Sequence, residues 1–398
     1  MATKGIRDQV AIVGMGCTPF GEHWDRSVDD LVLDASLEAM RSAGVDKDAI
    51  DAYWLSTLGS GVSGLTLSRP LALDYKPVTR VENMCASGSE ALRNACYAVA
   101  SGAYDVVMAV GVEKLKDSGY SGLVSARPPD DGTEVGMTAP APMSLLAPAY
   151  AEEYGLSEEQ MREAMSRVAW KNHENGARNP RAQFRKPVSM ETISSAPVVA
   201  GQLRVFDCSG VSDGAAAAIL VRAEDAHRYT EHPLYIKGLA ITAGPASGRI
   251  DPDYHYTSFP EVVRSAADAY REAGITDPRQ QLAMAEVHDC FTPTEMILLE
   301  DLGIAERGQA WRDVLDGRFD RDGDLPVNPD GGLKSFGHPI GASGLRMLFE
   351  CWLQLRGEAP PERQLDLHGR SLALTQNLGG APGNCVSFVS VVGTERDS

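Results

Sequence analysis

A chain of 398 residues, 43% hydrophobic and 23% charged, has the composition of a protein with a buried core, long enough for two or three domains or for one duplicated unit with an insertion. That excludes a disordered or collagen-like chain and a small disulfide scaffold. The 37 Lys+Arg against 55 Asp+Glu give a formal charge of −18, which argues against nucleic acid as a partner and requires a local basic island for any polyanionic ligand.

No run of about 18 apolar residues is present, so no membrane span is expected. The N-terminus enters a strand-like run, Val10 to Val13, without the apolar stretch of a signal peptide. Gly14 and Gly16 follow, but no third glycine opens a helix, so a dinucleotide site is not expected. Apolar spacing predicts an amphipathic helix from Val28 to Ala43, with Ser27 or Asp29 as cap and Gly44 as stop. A strand over Ala52 to Leu58, a helix from Cys85 to Val99 and a buried strand from Asp105 to Val110 continue an α/β alternation.

From Gly111 to Gly201 the alternation breaks. This stretch carries eight prolines and one predicted helix, Glu158 to Asn172, and reads as an inserted loop region. A packed strand resumes at Asp213 to Val221. Beyond it, Ala269-Tyr270-Arg271-Glu272-Ala273-Gly274-Ile275 echoes Ala39-Met40-Arg41-Ser42-Ala43-Gly44-Val45. Each copy closes a helix and leads through an Asp-containing loop to a strand, Ala52–Leu58 and then Leu282–Val287, so the chain reads as a duplication. A helix over Pro293 to Leu302, a helix over Gly344 to Leu355 and strands at Leu372 to Thr375 and Val386 to Val392 complete the second copy.

Three segments carry chemistry. Cys85 lies in Asn83-Met84-Cys85-Ala86-Ser87-Gly88-Ser89 at a helix start, where the helix end favours a thiolate and offers N–H donors to an oxyanion. The alternative is a buried, inert cysteine. His288 and Cys290 follow a strand, and on a continuing strand they share one face. His338 sits in the glycine-rich loop Gly331 to Gly344, which lacks the Gly-Lys-Ser/Thr ending of a phosphate-binding loop. One cysteine and two histidines on separate loops suit acyl transfer through a thioester. Seven cysteines with no CxxC pairing point to a reducing compartment, here the cytoplasm, rather than to disulfides or a metal site.

Over essentially its whole length the sequence resembles the thiolase superfamily, in the branch of sterol-carrier-protein-X-type thiolases and archaeal acetyl-CoA acetyltransferases. The resemblance rests on Asn83–Ser89, His288-Asp289-Cys290-Phe291, Gly337-His338-Pro339, Lys171-Asn172-His173 and Asn377-Leu378-Gly379-Gly380. It implies a five-layered αβαβα fold of two similar halves, 1–225 and 233–398, with a loop domain inserted at about 114–200. It implies Cys85 as acylated nucleophile, His338 as its activator that also helps hold the carbonyl oxygen of the second thioester, His288 in place of the asparagine other thiolases use for that oxyanion hole, and Cys290 as the acid/base of carbon–carbon bond cleavage or formation. A second oxyanion hole comes from the N–H groups of Cys85 and Gly379. Asn377 stands where many thiolases carry a second cysteine, and Cys290 fills that gap. Cys385 and the other cysteines are read as packing, and His173 as structural.

The resemblance further implies coenzyme A as substrate, no permanently bound cofactor, a homodimer or homotetramer, and in some relatives a small OB-fold zinc-binding partner protein. The rival readings are a thiolase-fold retro-aldolase and a non-catalytic scaffold subunit. For the CoA phosphates, the window Met161 to Lys186 holds seven basic residues against two acidic ones, and Arg178, Arg181, Arg185 and Lys186 are the candidates. The Met-rich run Met137 to Tyr150 either lines an acyl pocket or packs the insertion. The aromatic run Tyr254 to Phe259 borders substrate or a partner.

Overall fold

The computed structural model describes residues 5–116 and 138–397. Met137 therefore lies outside the described residues. Nine strands form the main sheet: β1 (Val10–Cys17), β2 (Ala52–Ser56), β3 (Val78–Val81), β4 (Val106–Glu113), β5 (Gly214–Arg222), β6 (Leu234–Ala243), β7 (Leu282–Glu286), β8 (Leu372–Ala381) and β9 (Asn384–Gly393). Their spatial order is β3-β2-β4-β5-β1-β6-β9-β8-β7. The join between β1 and β6 is narrow, pairing only Ala11 with Tyr235 and Ile12 with Leu234. On either side of it the two halves repeat one plan. The first runs β1-β5-β4-β2-β3; the second runs β6-β9-β8-β7 and ends on an isolated parallel bridge, Ala285 to Val327, where the fifth strand would lie. Parallel and antiparallel pairings match position by position.

The repeat extends to side-chain detail. Helix α1 (Val28–Ala43) begins in a capping box at Ser27 and stops at Gly44 with φ 66°. Its counterpart covers Pro260–Ala273 and stops at Gly274 with φ 74°. Under α1, a Cβ on Gly14 would meet the Ala39 carbonyl at 2.5 Å; under the counterpart, a Cβ on Gly238 would meet the Ala269 carbonyl. Ala39 and Ala269 are equivalent residues of the sequence echo, so each strand carries a glycine where the same helical alanine presses on it.

Two further helices lie between the sheet halves: α2 (Ser87–Ala100) and α3 (Ser343–Leu355). Leu92, Cys96, Val99, Leu345, Leu348 and Trp352 bury one shared core there. With α1 outside one half and Pro260–Ala273 outside the other, the layers run αβαβα. The central helices touch at their N-terminal ends. A Cβ on Gly88 would lie 2.9 Å from the Gly341 carbonyl, and one on Gly344 would strike Ser89. Glycine at both positions brings the segment before α2 and the segment before α3 together, and those segments hold Cys85 and His338.

Several elements extend past the sequence expectation. The insertion helix covers Glu158–Ala177, and β8 runs six residues beyond Thr375, far enough to include Gly379. β3 and β6 are not among the strands predicted from the sequence. Met143, Leu146 and Tyr150 are buried in the core, so for them the packing alternative holds. Tyr254 and Tyr256 stack edge to face at 4.7 Å, half-buried beside Gly383. No helix among the described residues is long and apolar enough to cross a membrane.

Candidate active site

Cys85 sits in a tight turn, not in the helix itself. Met84 before it adopts φ 51°, a left-handed conformation that is strained for a residue with a side chain. The turn is clamped by Ser87, whose hydroxyl donates to the Met84 carbonyl at 2.5 Å and accepts from the Asn83 N–H at 2.9 Å. Opposite, Gly379 is buried in β8, and a Cβ there would collide with the Asn83 carbonyl. The strand backbone thus lies directly against the Cys85 turn.

His288 and Cys290 reach the same place by a route that corrects the sequence expectation. β7 ends at Glu286, so the two residues do not share a strand face. The chain leaves the sheet and is held by other contacts. The Val287 N–H donates to Asn328 at 2.8 Å, and the His288 N–H to Gln376 at 3.3 Å. Asp289 accepts from Asn172 at 2.7 Å and from the Leu333 and Lys334 N–H groups at 2.6 and 3.2 Å. Asn172 belongs to the Lys171-Asn172-His173 segment, which explains why that segment accompanies the motif.

One ring nitrogen each of His288 and His338 and the sulfur of Cys85 lie within 4.8 Å of one another. The two imidazoles meet edge to face with centroids 5.3 Å apart. Cys290 is buried, and its thiol is pushed well above the ordinary range by burial, then by Cys85 and by Asp289 and Cys208. Of the five expected site residues, the structure therefore gathers Cys85, His288 and His338 into one cluster, with Cys290 close enough to feel Cys85 and Gly379 against the turn. A sulfur and two imidazoles are also donors that a soft divalent cation accepts, although the sequence pointed to no metal.

The electrostatics correct a second expectation. Burial and the Glu113 carboxylate push the Cys85 thiol up to about 12, which outweighs the helix end. Burial, then the Arg346 charge, lowers His338 to about 3, and burial with His338 and Arg346 lowers His288 far below the usual histidine range. At neutral pH the resting cluster is a neutral thiol facing two neutral imidazoles, so deprotonation of Cys85 must accompany its attack.

Sequence reasoning missed the supports. Glu113 is buried at the end of β4 and accepts from Leu58, Gly59, Ser60 and, at 3.1 Å, the Gly341 N–H. It ties the loop after β2 to the loop of His338. Arg346 is fully buried between Glu286 at 2.6 Å and Asp330 at 2.5 Å, which pins the end of β7 to the glycine-rich loop. The available signal was a lone charge at a buried strand end and an arginine in a mostly apolar helix.

The basic window is largely neutralised, a third correction. Arg162 pairs with Asp207, Arg167 with Asp320, Lys171 with Glu295 and Arg178 with Glu174. Arg181 pairs bidentately with Glu38 and stacks on Phe349. Arg185 and Lys186 are exposed, and no ion pair to either is seen among the described residues. Arg185 lines a cavity of about 440 Å³ together with Phe20, His23, Gln183 and Phe184. Phe20 and Gln183 also abut Gly337, next to His338.

His173 is buried between Phe184 and Phe206 with neither ring nitrogen hydrogen-bonded among the described residues. Burial, then the Lys334 charge, lowers it to about 3. A histidine depressed in the fold contributes stability above its unfolded pKa of about 6.5 and loses it as pH falls toward 3. His173→Phe removes that loss. Between pH 7.5 and 5.0 the variant is expected to gain about 2 kcal/mol over wild type in urea unfolding, at ~1.4 kcal/mol per pH unit below 6.5. A difference independent of pH would mean that His173 titrates alike in the folded and unfolded chain.

Comparison with known proteins gives matches over most of the chain. A family model described as "Thiolase, N-terminal domain" matches residues 10–224, and one described as "Thiolase C-terminal domain-like" matches residues 249–391. An acetyl-CoA acetyltransferase of Methanothermobacter thermautotrophicus is 39% identical over 96% of this chain and 99% of its own. Sterol carrier protein 2 of Bos taurus is 31% identical over 94% of this chain and 70% of its own. Among solved structures, an Ltp2-ChsH2(DUF35) aldolase superposes with a TM-score of 0.82 at 24% identity, covering 99% of this chain and all of that one.

Proposed function

From the premise that the chain belongs to the thiolase family, and is an acyltransferase of CoA thioesters, we propose how its own residues divide the work. Cys85 attacks the keto carbon of a 3-oxoacyl-CoA while its proton passes to His338. The α–β carbon bond breaks, and Cys290 protonates the enolate carbon. CoA then releases the acyl group from Cys85. In the reverse direction the same groups run a Claisen condensation.

The observation that carries this reading is the meeting of Cys85, His288 and His338 within 4.8 Å at the contact of the two central helices. A neutral thiol beside neutral imidazoles suits attack coupled to proton transfer. A Claisen enolate and a tetrahedral adduct both develop negative oxygen, so two sets of donors are needed. His288 serves one, and the N–H groups of Cys85 and Gly379 serve the other. The intact nucleophile favours thiolysis over a retro-aldol reaction, which needs no acyl-cysteine. Mass spectrometry of the protein mixed with a series of 3-oxoacyl-CoAs tests this: a stable acyl adduct on Cys85 supports it, and adducts elsewhere would overturn it.

Residues 1–225 and 233–398 act as the two halves in this reading, with 114–200 as the inserted loop domain, and the free thiols suit a reducing cytoplasm. For the CoA phosphates, the neutralised window leaves Arg185, which lines the 440 Å³ cavity, and the exposed Lys186 that follows it in the chain. Arg185→Ala combined with Lys186→Ala is expected to raise KM for CoA roughly tenfold at low salt, with kcat little changed. The increase should shrink as salt is added. Arg181→Ala, which breaks the pair with Glu38, should cost stability instead. An unchanged KM in the double variant would move the phosphate site elsewhere.

A further inference from the structure

The two histidines of the cluster are held from behind by unlike partners. Nδ1 of His338 lies 2.7 Å from the Ser343 hydroxyl. That hydroxyl has an acceptor of its own, the Pro339 carbonyl at 3.0 Å. With its one proton directed there, it meets the ring as an acceptor, so Nδ1 of His338 carries the ring proton. Nε2 then presents a lone pair, and it is buried with no hydrogen-bond partner among the described residues.

His288 is held in the opposite sense. The Asn377 side-chain nitrogen faces its Nδ1 at 3.4 Å. The amide is oriented from the other side by Ser89, whose hydroxyl donates to Asn377 Oδ1 at 2.5 Å. An amide nitrogen only donates, so Nδ1 of His288 is the bare nitrogen and Nε2 carries the proton. Both rings are uncharged at neutral pH, so each holds one proton.

We propose that Ser343 and Asn377 are positioning residues that lock His338 and His288 into opposite neutral tautomers, one offering a lone pair and the other an N–H. The chemical use of this rests on the thiolase reading. If both rings carried Nε2–H, the Cys85 proton would have no imidazole acceptor. If both Nε2 atoms were bare, the oxyanion would have no imidazole donor until His338 had taken the thiol proton. With opposite tautomers, the S–C bond forms as the thiol proton moves to His338 Nε2. The original proton stays on Nδ1, hydrogen-bonded to Ser343, and His288 Nε2–H meets the oxygen.

The test is the 15N spectrum of the resting full-length protein labelled at histidine, in which protonated and bare ring nitrogens are resolved. The expected pattern is Nδ1–H for His338 and Nε2–H for His288. Ser343→Ala should mix the two tautomers of His338 and slow single-turnover acylation of Cys85 roughly 10²-fold, with KM little changed; Ser343→Thr should restore both. Asn377→Asp, which puts an acceptor against Nδ1, should move the His288 proton to that nitrogen. Like tautomers on both rings, or the reverse pattern, would overturn the proposal from the wild-type spectrum alone. The spectra do not depend on the reaction, so turnover by a Cys85 variant would sink the thiolase roles and leave the tautomers standing.

Discussion

Cys85→Ala is expected to lower thiolysis of any accepted 3-oxoacyl-CoA by roughly 10⁴–10⁶-fold and to abolish covalent labelling by acyl-CoA. The size follows from the site. The reaction is split into two steps only because the acyl group rests on sulfur, and among the described residues Cys85 is the thiol that clusters with His288 and His338. Cys290 is a second buried thiol of the motif segments, but burial, then Cys85 and Asp289, hold it protonated. The fold should survive, because Cys85 lies in a turn held by Ser87 and its sulfur is not part of the packed core. Steady-state rates with mass spectrometry at a saturating acyl-CoA concentration decide the matter. Retention of more than a few per cent of the rate would move the nucleophile elsewhere.

Cys290→Ala should separate the two half-reactions. Acylation of Cys85 by a simple acyl-CoA needs His338 and the oxyanion donors only, so labelling is expected to persist. Carbon–carbon cleavage needs an acid at the enolate carbon, and its loss should cost roughly 10²–10⁴-fold. The raised pKa of Cys290 suits this role in the degradative direction: the thiol is fully protonated at neutral pH and ready to give its proton to a carbanion. Because Cys290 is buried, its truncation also leaves a small void, so Cys290→Ser serves as a control of similar shape. A Cys290→Ala protein that cleaved at the normal rate would show that another group delivers the proton.

Much of the fold was legible because its boundaries are local. Ser27 and Gly44 define α1 through hydrogen bonds within one turn, and the sequence alone marks both. The duplication was visible in the seven-residue echo because Ala39 and Ala269 must stay small against Gly14 and Gly238. Cys85 and His338 stood out because they sit among glycines and small residues, and His288 and Cys290 because they follow a predicted strand. What stayed hidden depends on distant partners. Nothing near Arg181 says that Glu38 will neutralise it, and nothing near Cys85 says that Glu113 and burial will raise its pKa. β3 is short and half polar, and β6, although Pro233 and Gly244-Pro245 bound it, has its apolar run broken by Lys237 and Gly238. Asn377 and Ser343 lie inside quoted motifs, but their importance comes from ring nitrogens contributed by other elements. Burial and pairing across the chain are tertiary properties, and a linear reading assigns residues to faces only while the element continues.

The meeting of Gly88 with Gly341 and of Gly344 with Ser89 has an implication for descent. Each half contributes one inner helix, and the chemistry occurs only where the ends of both converge. A single half has the nucleophile without its base, or the base without its nucleophile. Selection for this reaction could therefore not have acted on one half alone, but only on a pair of like copies or on the fused chain.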